Sequence, residues 1–405
     1  MRIIRLISIV SLFIITIVNI NCSIQDPIST QLLDNSLTAD TLIISGITSF
    51  TYQIAPKIGG YDRLYIGSNN NYSFPMSLFK FANSGWETFS DSSIVIDSAF
   101  FQIYSNDSLI QDDFELKLYY SEDSIFNENE SDMNYLNSID LNNWQYLDLN
   151  TNVSSIIDTS DTSSSFQQSV IKWELDSTFM KILTDTSNSN IYRTFAVALG
   201  PNSTSEFLEL LSREFSAGSL DPKIEIYYNN INSLDTLTRI YYVAEDISVL
   251  INEDINEISN DIIMLNRGSG LRSLINIPAD SLLLLSNKAV IRYANLKLYG
   301  ENDSLNSYNI VMDPVKENYD TSSYIFDNDP FIDLGTYYTN SNVINGELNI
   351  SLKSYLQYLL IEDSLTSDYN KIGIKLTSSL NNSLFDTVKF NLDNSNNRLE
   401  ILYVQ

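Results

Sequence analysis

Histidine is missing from this chain of 405 residues, and cysteine occurs once, at Cys22. Without histidine there is no Ser-His-Asp or Cys-His catalysis and no His-ligated zinc or iron. A single cysteine rules out a disulfide within the chain. What survives is carboxylate, Lys or Tyr chemistry, or metals held by oxygen. Proline and glycine are scarce, at 8 and 13. Cations are scarce too: 23 Lys and Arg stand against 51 Asp and Glu, a formal charge of −28. Such a field repels phosphate backbones and anionic membrane surfaces, so nucleic acid is excluded as a partner. It favours solubility, a salty or extracellular setting and weak cation binding.

The apolar run at 6–20 is shorter than the roughly 20 residues a membrane span needs. Arg2 and Arg5 precede it and Cys22 closes it, so residues 1–21 read as an export signal. The placement resembles a bacterial lipoprotein signal, whose cysteine becomes the lipidated first residue. Asn19 and Asn21 stand where that signal usually has Leu and a small residue. The resemblance implies a lipid anchor on Cys22 and attachment without a span. Ser23 after the cysteine implies the outer membrane or extracellular surface. Residues 22–37 are polar and aperiodic, and are expected to form a tether.

What the chain has is a long internal repeat. AFFQIYSNDSL at 99 answers ANLKLYGENDSL at 294, and SLFKF at 77 answers SLINI at 273. TFAVAL at 194 answers KIGIKL at 371, and KIEIY at 223 answers RLEI at 398, with Tyr403 beyond. Five blocks in one order give two whole domains, since the period far exceeds that of a solenoid. Apolar residues come in short alternating runs between Asn, Asp, Ser and Gly, the signature of antiparallel sheet. The fold expected is all-β: two tandem jelly-roll-like sandwiches, each with one short helix, at 177–183 and 352–360. The expected bounds are 38–229 and 238–405, divided at the polar stretch 229–237.

The order of elements resembles DNRLRE-type domains, related to a bacterial carbohydrate-binding module. The motifs are ADTLII at 39, AEDISV at 244, RSLINI at 272, ANLKL at 294, KIGIKL at 371, and the closing DPKIEIYY at 221 and NRLEILY at 397. The usual helix Trp is missing, and the second copy closes without Pro. The resemblance implies paired sandwiches and a polysaccharide or partner protein as ligand.

Candidate sites are sparse. Trp86, Trp144 and Tyr146 stand near loops and could offer rings to a sugar; Trp173, in an alternating strand, reads as core. Calcium takes six to eight oxygens, and the best acid cluster is Asp327, Asn328, Asp329 and Asp333. The same residues are ordinary turn formers. No cofactor other than calcium is implied. With 51 acids, no particular pair can be chosen as a hydrolytic dyad, so no catalytic residue is assigned. The expectation is a binding or structural protein; the alternatives are a carboxylate-based glycan hydrolase or lyase, and a purely structural adhesin or matrix protein.

Overall fold

A computed structural model of the protein describes residues 38–405 apart from 70–71, 90–92, 110–112, 124, 158–166, 188–190, 216–219, 232–235, 252–260, 287, 301–306, 316–322, 332–336 and 362–370. The export run, Cys22 and the tether lie outside the described residues, as does Asp333.

Two short strands come first, β1 (Ala39–Ile44) and β2 (Thr48–Ile54), parted by Gly46 at φ 79°. Then come β3 (Arg63–Asn69), β4 (Tyr72–Phe81), β5 (Ile94–Ser105), β6 (Leu116–Ser121), helix α1 (Met133–Asn137), β7 (Gln145–Leu147), β8 (Thr151–Ile157) and β9 (Gln167–Glu174). Helix α2 (Ser177–Leu183), β10 (Arg193–Leu199), β11 (Phe207–Leu211), β12 (Lys223–Asn230) and the long β13 (Thr236–Ile251) complete the first set. The second set opens with β14 (Ile262–Asn266), β15 (Leu271–Pro278), α3 (Ala279–Leu282), β16 (Val290–Tyr299), β17 (Tyr308–Pro314) and β18 (Ile325–Phe326). It ends with β19 (Thr339–Ile344), β20 (Glu347–Ser351), α4 (Lys353–Ile361), β21 (Lys371–Ser378), β22 (Thr387–Asn391) and β23 (Arg398–Val404).

The all-β expectation holds. Among the described residues the strand pairs are antiparallel except for the two-residue pair β18–β2. Strict alternation explains why: β6, β17 and β23 each bury every second residue. Each body carries a second helix, α1 or α3, beyond the one expected.

The two bodies share one hydrogen-bonding plan. β5 lies between β12 and β9, as β16 lies between β23 and β20; β4 pairs β10 and β3, as β15 pairs β21 and β14. Register refines the repeat. Ala99 and Ala294 face Ile226 and Ile401. Leu175 N–H donates to Ala99 O at 2.8 Å and Leu352 N–H to Ala294 O at 2.9 Å, so both helices start from one anchor. The 194 and 371 blocks fall on equivalent strands two residues out of step: Phe195 pairs Phe79 where Ile374 pairs Ile275. A shift of two keeps every side chain on its face.

The opening strands have exchanged bodies. β13, expected to start the second sandwich, pairs β12 and β4 of the first. β1 and β2, expected in the first, pair β23 and β15 of the second. The division at 229–238 therefore does not part the sheets. The first body runs from 63 to 251 unbroken; the second takes 262–404 plus 39–54. The cause is local: β13 begins just after β12 and folds back on it, with Asn229 opposite Thr236, and short connections pair neighbours first. The matching edge of β23 is then left for β1. In this register Ala39 matches Thr236, so the ADT and AED openings are not equivalent.

Each sandwich encloses its own core, around Phe101, Trp173 and Phe195 in the first and Ile275, Leu296 and Ile374 in the second. A further layer covers the back of each. Phe126, Met133 and Leu136 roof the first beside Leu384 of the second body, and Phe331 roofs the second over Phe50 and Tyr52. Phe385 wedges between Tyr65, Tyr72 and Phe74, which joins the two bodies.

Candidate functional site

On the outward face of the first sandwich, three neighbouring strands carry paired aromatics in sequence: Phe100-Phe101, Tyr227-Tyr228 and Tyr241-Tyr242. A strand sends successive side chains to opposite faces, so each pair puts one ring in the core and one outside. Phe101 is fully buried and Tyr241 nearly so, while Phe100 and Tyr227 are half-exposed and Tyr242 exposed. Phe100 and Tyr227 meet edge to face at 6.4 Å. Glu225 lies opposite Phe100 and accepts from Gln102 Nε2 at 2.6 Å. Burial, then the Glu225 charge, raises the Tyr227 hydroxyl above its usual range.

A groove of about 370 Å³ opens beside Phe100, lined by Asp148, Leu149, Asn150, Asn152, Lys172, Glu174 and Asp176. Lys172 Nζ stands 5.8 Å from the Phe100 ring centroid. Asp176 is held as the N-cap of α2, accepting from the Thr178 and Phe179 N–H groups at 2.8 Å each. One half-exposed ring, one cation, amides and carboxylates in a concave polar setting are groups that can stack on and hydrogen-bond a polyhydroxylated ligand. The repeat supplies a control. At the equivalent place Asn295 replaces Phe100, and Lys297 and Arg398 both close on Glu400, at 2.8 and 2.6 Å. The second sandwich therefore has no ring at the position of Phe100, and an ion-paired cluster beside it.

The residues singled out from sequence are placed elsewhere. Trp86 is buried: it stacks on Tyr241 at 4.0 Å, lies under the Arg193 guanidinium, and donates from Nε1 to Ala82 O at 2.8 Å. It has no ring face for a ligand, because a loop tryptophan following Gly85 turns back into the core. Trp144 is half-buried against the back layer. Tyr146 is exposed on β7, paired with Tyr119 at 5.4 Å, on the sheet opposite the groove. The three do not form one platform.

The described members of the acid cluster, Asp327, Asn328 and Asp329, are not brought together as a cation site. Asp329 accepts from Arg272 at 2.5 Å, Lys375 at 3.1 Å, Tyr52 at 3.0 Å and the Phe331 N–H at 3.1 Å. Two cations neutralise its carboxylate, and its pKa is lowered although burial opposes this. Its work is to pin the roof of the second sandwich. Asp327 and Asn328 are exposed, and Asp327 accepts from Asn134 at 3.3 Å. Among the described residues no group of three acids is arranged to hold a metal.

A different acid cluster is buried in the first body, and no sequence motif marks it. Asp246 is 2% exposed and Glu128 5%. Asp246 Oδ2 accepts from the Arg213 N–H at 2.9 Å, while Oδ1 is buried without a partner. Burial chiefly, with Glu214 and Glu128 adding repulsion, pushes Asp246 up to about 8. Glu128 is raised too, by burial and then by Glu214. Substrate cannot reach either carboxyl, so this pair bears on stability. Only its location on β13, a strand expected in the other sandwich, could have signalled it.

No family model, curated protein or solved structure matches the chain. No helix among the described residues is long and apolar enough to cross a membrane.

Proposed function

We propose that the protein is an exported, lipid-anchored cell-surface protein that binds a polysaccharide through the outward face of its first sandwich, in the manner of DNRLRE-type and related carbohydrate-binding domains. The supporting observation is the groove beside Phe100, with Lys172 and the amides of Asn150 and Asn152 around one half-exposed ring. Its three carboxylates and the net charge of −28 favour a neutral glycan over an acidic one. The test is a screen of the full chain against neutral polysaccharides, with Phe100→Ala and Lys172→Ala beside it. Binding that falls at least tenfold in both variants, with unchanged thermal unfolding, supports the reading. Undiminished binding in both moves the site elsewhere.

A glycan hydrolase is the second reading, because Asp148, Glu174 and Asp176 border the same groove. Reducing ends released from a bound glycan, and lost in Glu174→Gln or Asp176→Asn, would promote it over simple binding.

A further inference from the structure

Against the acidity of the chain, one cavity is lined by three cations and no acid. It holds about 260 Å³ between the end of β2, the β14–β15 turn and the end of β21, and its lining includes Lys57, Arg267, Arg272, Thr377 and Ser378. It belongs to the second body, apart from the Phe100 groove. Arg272 is spoken for by Asp329. Lys57 is exposed at the rim.

Arg267 is the unusual member. It is 8% exposed, and its guanidinium lies 4.6 Å from the Tyr61 ring centroid. Nη1 donates to Leu380 O at 2.6 Å, while Nε is buried without a partner. No carboxylate among the described residues lies within ion-pair distance of it; Asp62 acts only through its longer-range field. Arg193, the other arginine buried without an acid, is different. Its Nε, Nη1 and Nη2 donate to the carbonyls of Leu183, Ile191 and Asp185. A guanidinium carries five N–H donors in a planar fork suited to oxyanions. Arg193 spends its donors on the backbone; Arg267 keeps donors and an uncompensated charge beside a cavity. Apolar walls such as Pro56 lower the local dielectric and strengthen an ion pair formed there.

We propose that this cavity binds a small oxyanion, a carboxylate or sulfate group, between Arg267 and Lys57, with the Thr377 hydroxyl as a neutral donor. The group could arrive as a free inorganic anion or on a sugar acid, and the test separates the two. The full chain in low-salt chloride buffer is titrated calorimetrically with sodium sulfate, sodium glucuronate and, as the neutral arm, glucose. Saturable binding of sulfate, glucuronate or both is expected, with a rise in thermal midpoint. Sulfate alone identifies an inorganic anion; glucuronate alone identifies a sugar acid. Lys57→Glu, at the exposed rim, should weaken binding at least tenfold and leave the unliganded midpoint unchanged. Arg267→Lys keeps the charge but loses the fork and should weaken binding severalfold; if it does not fold, Lys57→Glu carries the test. Saturable binding by neither anion, or equal affinity in Lys57→Glu, overturns the proposal.

Discussion

Asp246 shows how one buried side chain can set the pH response of a sandwich. Its folded carboxyl titrates near 8 and an unfolded one near 3.8. Between those values the folded protein holds a proton that the unfolded chain has lost. Stability therefore falls as pH rises from about 4 to about 8, and is level beyond. Glu128 is shifted the same way. Asp329 works in reverse: its pKa is lowered, so its contribution is present at neutral pH and lost on acidification. Asp246→Asn mimics the neutral form. In urea unfolding its advantage over the parent should widen by about 2–4 kcal/mol between pH 5 and pH 8.5, each tenfold change in acidity being worth about 1.4 kcal/mol. Equal gaps at both pH values would mean the side chain acts through packing alone. Phe100 and Phe101 give the second residue-scale contrast. Phe101→Ala should cost about 3–5 kcal/mol, while Phe100→Ala costs under about 1 kcal/mol and removes the ligand. The doublets FF, YY and YY were legible as sequence, since alternation forces one ring of each outward. Tryptophan in loops was the weaker guide: Trp86 is core because its ring finds Tyr241 and Arg193, neighbours far off along the chain.

At the scale of elements, period-two alternation made strand type readable, and the repeat made equivalence readable. Partnership was not readable. ADTLII at 39 and TLTRIY at 236 are alike in pattern, and each suits the edge of either closing strand. Which edge it takes depends on chain connectivity: β13 is next to β12 in sequence, and β1 fills the edge that remains on β23. A buried hydroxyl pair marks the same crossing in both bodies. Ser77 and Ser248 lie 3.1 Å apart in the first, and Thr51 and Ser273 lie 2.7 Å apart in the second. Ser248 comes from β13 and Thr51 from β2, so the exchanged strands dock through one motif. Thr51→Val should remove the hydroxyl that donates to the Ile262 carbonyl at 2.8 Å and lies 2.7 Å from Ser273, and cost about 1–3 kcal/mol. The loss should fall on the second body, although Thr51 precedes the whole first body in sequence. Hydrogen exchange would show it: faster exchange in β14 and β15 with β4 unchanged fits, and the reverse pattern does not.

At the scale of the whole molecule, the proposed lipid anchor and the division of the chain into two bodies each have a direct test. Cys22→Ala should release the protein into the soluble fraction or block its processing, as fractionation and intact mass would show; unchanged mass and membrane retention would remove the lipid anchor. The exchange of strands makes a sharper claim, because it assigns residues 39–54 to the second sandwich. All three tryptophans, Trp86, Trp144 and Trp173, lie in the first body. Tryptophan fluorescence therefore follows the first sandwich only, and far-ultraviolet circular dichroism follows both. The decisive measurement is thermal unfolding of the chain with residues 39–54 deleted, read by both signals. The account predicts a retained, cooperative fluorescence transition within a few degrees of the parent, together with loss of about half the strand signal at 25 °C. Loss of the fluorescence transition with the second sandwich left intact would contradict it.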